Sequence, residues 1–168
     1  TEESDATAVW VSTMESTALR ELIADTDWGN LDFLLIDMPP GSDRIDNIRS
    51  LIPELAGVVE ITIPSVLSQH IVSKSIAKNN KMKVPIIGLV ENMGGYTCPH
   101  CEKEGPLFEG DDVKSLAKQK DISYLGKIPF DTRIGRKTDS GSLFYMDNKD
   151  STTGKAINSV VDKIISSV

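Results

Sequence analysis

An α/β fold organised as a doubly wound parallel sheet is the architecture this sequence predicts, on three observations. The run Phe33-Leu-Leu-Ile36 is apolar without alternation and ends in Asp37, just before a Pro39-Pro-Gly41 turn. Such a run reads as a strand covered on both faces. Val58-Val-Glu-Ile-Thr62 and Ile86-Ile-Gly-Leu-Val90 flank a helical pattern, a βαβ unit whose crossover is expected to be right-handed. Tyr124-Leu-Gly-Lys-Ile128 adds a fourth strand, so strands and helices alternate along the chain.

Taken in order, residues 1–7 are polar and expected to fray. Ser12-Thr-Met-Glu15 matches a capping box and opens a helix whose apolar face is Ala18, Leu19, Leu22 and Ile23. After the strand over 33–37, a short helix over 45–52 is expected to stop before Pro53. Ser65 follows the second strand and can cap a helix with the stripe Leu67, Ile71, Val72 and Ile76. Pro85 separates that helix from the third strand, which runs into Glu91-Asn-Met-Gly-Gly95. Residues 94–110 form an excursion rich in Gly, Cys, Pro and charge, and Val113, Leu116 and Ala117 mark another short helix. Pro129 is expected to end the fourth strand, and a polar loop to run from Asp131 to Asp150. Ile157, Val160, Val161, Ile164 and Ile165 give the last helix its stripe.

With 168 residues the chain matches one domain with a sizeable core. Net charge is −7 and basic residues form no run, which argues against nucleic acid as a main ligand. The apolar stretches are too short to span a bilayer, so no membrane partner is expected and a cytoplasmic location is the default. No signal peptide is visible, but position 1 is Thr rather than Met, so the true N-terminus is expected upstream. The two cysteines stand together as Cys98-Pro-His-Cys101, which reads as half a metal site or as a redox pair. His100 between them is expected in solvent, and His70 at a helix surface.

Asp37 sits where a buried strand would emerge, at the carboxyl edge where open α/β sheets bind ligands. A carboxylate there suits magnesium on a nucleotide's phosphates; a solvated strand-end Asp before a plain turn is the other reading. The chain has no Gly-x-x-x-x-Gly-Lys-Ser/Thr loop. Either it binds no nucleotide, or the phosphate loop lies upstream of Thr1. Asn92, after the third strand, offers the acceptor and donors that match adenine N6 and N7, and it equally suits a turn before Gly94-Gly95.

Five segments stand out together: Trp28-Gly-Asn-Leu-Asp-Phe-Leu-Leu-Ile-Asp37-Met-Pro-Pro-Gly41, Val84-Pro-Ile-Ile-Gly-Leu-Val-Glu-Asn92-Met, Tyr96-Thr-Cys-Pro-His-Cys101, Leu125-Gly-Lys-Ile-Pro129-Phe-Asp and Asp139-Ser-Gly. They resemble the Mrp family of P-loop ATPases, iron–sulfur cluster carriers related to MinD and ParA. They occur in the family's order and cover most of residues 28–141. The chain departs from the family at Trp10-Val-Ser-Thr13, where Trp-Arg-Gly-Pro is usual, and in having one residue fewer between Gly41 and Asp43.

The resemblance implies a P-loop NTPase-like fold, with residues 1–168 as the C-terminal portion of a single ATPase domain and a cysteine loop at about 94–110. It makes Asp37 the Walker B aspartate acting on Mg-ATP, Gly41 the switch glycine, and Asn92 with the segment at Pro129 the lining of the base pocket. It makes Cys98 and Cys101 ligands of a labile 4Fe–4S cluster shared across a homodimer and passed to apo iron–sulfur proteins, with zinc as the rival metal. ATP hydrolysis belongs to the family, yet a chain without the phosphate loop is not expected to hydrolyse ATP alone. A MinD/ParA-type positioning ATPase and a zinc-stabilised interaction domain are the alternatives. The last helix ends Asp162-Lys-Ile-Ile-Ser-Ser-Val168, which lacks the basic amphipathic character that the positioning role needs.

Overall fold

The computed structural model describes residues 14, 16–38, 45–97, 104–110 and 112–168, and the chain divides into two compact units, Thr1–Glu54 and Leu55–Val168. In the first unit, helix α1 covers residues 16–25 and helix α2 covers Ile45–Leu51. Leu19 and Ile23 are half-buried on α1, whereas Ala18 and Leu22 are exposed. The Trp28 indole N–H donates to the Ile23 carbonyl at 3.0 Å and so occupies one of the acceptors that the end of α1 leaves open. The capping box of Ser12 and Glu15 lies outside the described residues.

The expected strand over 33–37 is absent. Residues 33–38 carry no regular structure, and Leu35 is 87% exposed. The physical reason is partnership: an apolar run becomes a strand only when a neighbouring strand takes its N–H and C=O groups, and the run by itself supplies no such neighbour.

The second unit is built on strands β1 (Val58–Thr62), β2 (Ile86–Thr97), β3 (Glu104–Gly105) and β4 (Tyr124–Phe130). β1 and β4 pair with β2 in parallel, and β3 pairs with its far end antiparallel. Helix α3 (Val66–Met82) makes the crossover from β1 to β2 and starts at Ser65, whose hydroxyl accepts from the Ser68 N–H at 3.3 Å. Helix α4 (Val113–Gln119) precedes β4 and is capped by Asp112. After β4 come α5 (Thr132–Asp139), α6 (Phe144–Asp147) and α7 (Thr152–Ile165).

Both faces of the sheet are covered, which makes the unit doubly wound. Leu89 packs with Val72 and Ile76 of α3 and with Val113, Leu116 and Ala117 of α4. On the opposite face Val90 and Leu125 pack with Val160 of α7. Lys163 ties the end of α7 to the sheet by donating to the Leu125 carbonyl at 2.6 Å.

Four sequence expectations are corrected here. The buried face of α3 is Gln69, Val72, Ile76 and Asn79, so Leu67 and Ile71 lie in solvent. On α7 the stripe narrows, with Val161 and Ile165 exposed. The stretch from Asp131 to Asp150 holds α5 and α6 rather than a loop, because Asp131 caps α5 and accepts from Arg133 and Thr153. Pro129 lies inside β4, not after it.

Candidate functional site

The carboxyl ends of the parallel strands are where an open α/β sheet presents a ligand edge. Asn92 and Pro129 both lie toward that edge, Asn92 being the register partner of Ile128, the residue before Pro129. The next pair is Tyr96 with Phe130, so three residues of β2, 93–95, stand opposite Pro129 alone. Proline has no N–H to give to the ladder, and a bulge in the neighbouring strand is how a sheet absorbs that loss. This is why β4 can run through Pro129.

Within the bulge Met93 has φ 53°, a left-handed conformation that side chains disfavour. Asn92 supports it directly, because its Oδ1 accepts the Met93 N–H at 2.9 Å. Beyond the bulge, the rings of Tyr96 and Phe130 lie 6.1 Å apart, tilted at 54°. Tyr96 then pairs with Gly105 and Thr97 with Glu104, forming the two arms of a hairpin. Cys98 and Cys101 belong in sequence between those arms and lie outside the described residues, as does Gly41.

One face of β2 carries a carboxylate that sequence reasoning passed over. Glu91 is buried, with Lys127 as its register partner and the Tyr124 hydroxyl donating to its Oε2 at 2.7 Å. Burial, reinforced by the Glu91 carboxylate, pushes the Tyr124 phenol well above its usual range. A single acid continuing the apolar run of 86–90 was the sequence signal for this contact. The same signal marks Glu60 within Val58-Val-Glu-Ile, which accepts from Ser75 Oγ at 2.8 Å and Asn79 Nδ2 at 2.7 Å.

The donor set of Asn92 fits a purine edge. Its Nδ2 donates to none of the described residues, and its Oδ1 keeps a lone pair beside the Met93 bond. Asp37 is exposed, with no hydrogen-bond partner among the described residues. Among the described residues, no three His, Cys, Asp or Glu side chains converge on one point. A cleft of about 830 Å³ lies at the other end of β4, lined by Tyr145, Lys149, Lys155, Asn158 and Asp162 among others. Asp37, Gly41, Asn92, Cys98, Cys101 and Pro129 are not among its lining residues. His70 is exposed, as expected.

Comparison with known proteins gives these observations a context. A family model described as NUBPL iron-transfer P-loop NTPase matches residues 1–165. The chain is 36% identical, over 162 residues, to an iron-sulfur cluster carrier protein of Saccharolobus solfataricus, covering 96% of this chain and 55% of that one. It is 35% identical, over 165 residues, to a protein of Dictyostelium discoideum named as a homolog of the cytosolic Fe-S cluster assembly factor NUBP2, with 95% and 62% covered. The chain therefore spans a little over half the length of the curated relatives it matches.

Among solved structures, a nucleotide-binding protein of Archaeoglobus fulgidus in complex with ADP is 29% identical, with a TM-score of 0.63 over 77% of this chain and 54% of that one. The cell division ATPase MinD of Pyrococcus furiosus shares the fold, with a TM-score of 0.65 at 20% identity over 91% of this chain and 59% of that one. The three parallel strands with helices on both faces are thus those of a P-loop NTPase-like sheet. This chain belongs to the NUBPL family of iron-transfer P-loop NTPases.

Proposed function

We propose that this chain acts within an ATP-dependent carrier that holds a labile 4Fe–4S cluster and delivers it to apo iron–sulfur proteins. The observation that carries the reading is the Cys98-Pro-His-Cys101 pair standing between the paired ends of β2 and β3, in a chain whose family is named for iron transfer. Two thiolates cannot complete a four-thiolate site, so a second copy of the chain supplies the other two across a two-fold axis. The cluster is cargo. Zinc suits the same four thiolates and is the rival occupant.

Asn92 and the segment at Pro129 receive the adenine, and Asp37 orients water around magnesium while Gly41 approaches the terminal phosphate. Magnesium, when bound, would neutralise charge between the phosphates. Residues 1–168 span a little over half the length of these relatives and are proposed to be the C-terminal portion of a single ATPase domain, on the resemblance of their motifs. Alone they are not expected to hydrolyse ATP. A cytoplasmic location is proposed on the likeness to relatives named as cytosolic. Among the described residues, no helix is long and apolar enough to cross a membrane.

Anaerobic reconstitution with iron and sulfide tests the cluster assignment. A broad thiolate-to-iron absorbance is expected for the native chain and its loss for Cys98→Ala/Cys101→Ala. An intact cluster on the double variant would remove both residues from the ligand set. Zinc, rather than iron, in anaerobically purified protein would favour the interaction-domain reading.

A further inference from the structure

Glu60 of β1 and Asn79 of α3 meet inside the second unit, 8% and 4% exposed. Their surroundings are apolar: Leu89, the register partner of Glu60, is wholly buried, and Val72 and Ile76 pack against it from α3. Both donors that reach the carboxyl group converge on one oxygen, Ser75 Oγ at 2.8 Å and Asn79 Nδ2 at 2.7 Å from Oε1. Among the described residues no donor reaches Oε2. Asn79 Oδ1 is buried and likewise has no donor among the described residues. Turning the amide over cures nothing, because its nitrogen is the group that serves Oε1. Two acceptors thus stand unserved on two side chains already joined, where an unserved polar atom is costly.

We propose that Glu60 and Asn79 are a proton-binding site: Glu60 is held as the neutral acid, and its Oε2–H donates to Asn79 Oδ1 while Asn79 Nδ2 donates to Oε1. Acid and amide then close a ring of two hydrogen bonds that locks the late turns of α3 onto β1. A proton is the cation that fits, since a metal ion would need further oxygens where Oε1 meets two donors. Burial is the largest influence on Glu60 and raises its pKa, against the two hydrogen bonds. The titratable groups on the elements packed against β1 are His70, Lys74, Lys78 and Lys81 of α3 and Glu91 of β2. His70, Lys74 and Lys81 are exposed, and no charged group is among the influences on Glu60. Loss of the proton leaves Oε2 and Oδ1 as two acceptors with no donor between them. The ring is therefore closed at low pH and opens as pH rises through the native pKa. Neither nucleotide nor cluster enters this site, so it stands apart from the carrier reading.

Infrared titration of the full chain tests the assignment. A protonated-carboxyl stretch that outlasts those of the exposed carboxylates as pH rises is expected, and its absence from Glu60→Gln. Glu60→Gln keeps a donor for Oδ1 and an acceptor for Nδ2 without a titrating group, whereas Glu60→Met is neutral but offers no donor. Hydrogen exchange on peptides covering 75–84, corrected for intrinsic rates, should accelerate about fivefold in the native chain as pH rises from about 5 to 8. It should stay slow and level in Glu60→Gln and be fast at every pH in Glu60→Met. Loss of the native stretch together with those of the exposed carboxylates would overturn the site. So would its persistence in Glu60→Gln, or exchange in Glu60→Met as slow and level as in Glu60→Gln. If the variants do not fold, the Glu60 Cδ resonance of the native chain decides by carbon NMR: a midpoint above those of the exposed glutamates supports the site, and one among them overturns it. Failure of Cys98 and Cys101 to hold a cluster bears on the carrier reading alone.

Discussion

Glu60 is the charged side chain least suited to its surroundings. It is buried in β1, and desolvation raises its pKa above the ordinary carboxylate value of 4.5 even though Ser75 and Asn79 donate to it. Folding therefore favours the protonated acid, and the sign follows from linkage. Stability is full below the unfolded-state pKa and is lost as pH rises through the raised native one. Glu60→Gln should flatten this decline and raise the urea midpoint at pH 7 relative to pH 4.5; a native-like slope in the variant would assign the decline elsewhere. Asn79 Oδ1, buried without a partner among the described residues, is the acceptor a glutamine amide could serve. The candidate site was partly legible at this scale. Asn92 and Pro129 are marked by local motifs, whereas Glu60 and Glu91 take their meaning from Asn79 and Tyr124, 19 and 33 positions away.

Elements were legible where local chemistry and tertiary need agreed. The second strand, the Ser65 cap and the α4 core face of Val113, Leu116 and Ala117 all form as the pattern implies. Stripes were read too wide, because an apolar residue at helical spacing is buried only when the sheet reaches that far. Ile76 is 1% exposed at the centre of the α3 contact, while Ile71, five residues earlier and so on another side of the helix, is in solvent. Ile76→Ala should therefore cost about 2–5 kcal/mol in urea unfolding, and Ile71→Ala a small fraction of that; equal costs would contradict the assigned face. The helices after β4 were hidden because their anchor is long-range. Asp131 binds Arg133 at 2.6 Å and Thr153 at 3.1 Å, and Arg133 lies over the Phe144 ring. The Arg133 guanidinium holds the Asp131 carboxyl below its usual range, so this tie strengthens as pH rises out of the acid region, opposite in sign to Glu60.

For the molecule as a whole, the carrier reading makes association depend on cargo. Cluster-loaded chain should sediment as two copies and return to one when the cluster is chelated, and loading without any change in mass would mean that no second copy supplies the remaining ligands. The fold class was readable because alternation of strands and helices is a property of the entire sequence, but the strand over 33–37 was not, since pairing is decided by partners and not by the run itself. β2 is the strand with which β1, β3 and β4 all pair. During synthesis from the amino end, β1 leaves the ribosome before β2, and the pairing between them must wait for all of α3. Vectorial production of this unit thus carries a built-in delay, and a chaperone that shields nascent apolar segments would find its client in that interval.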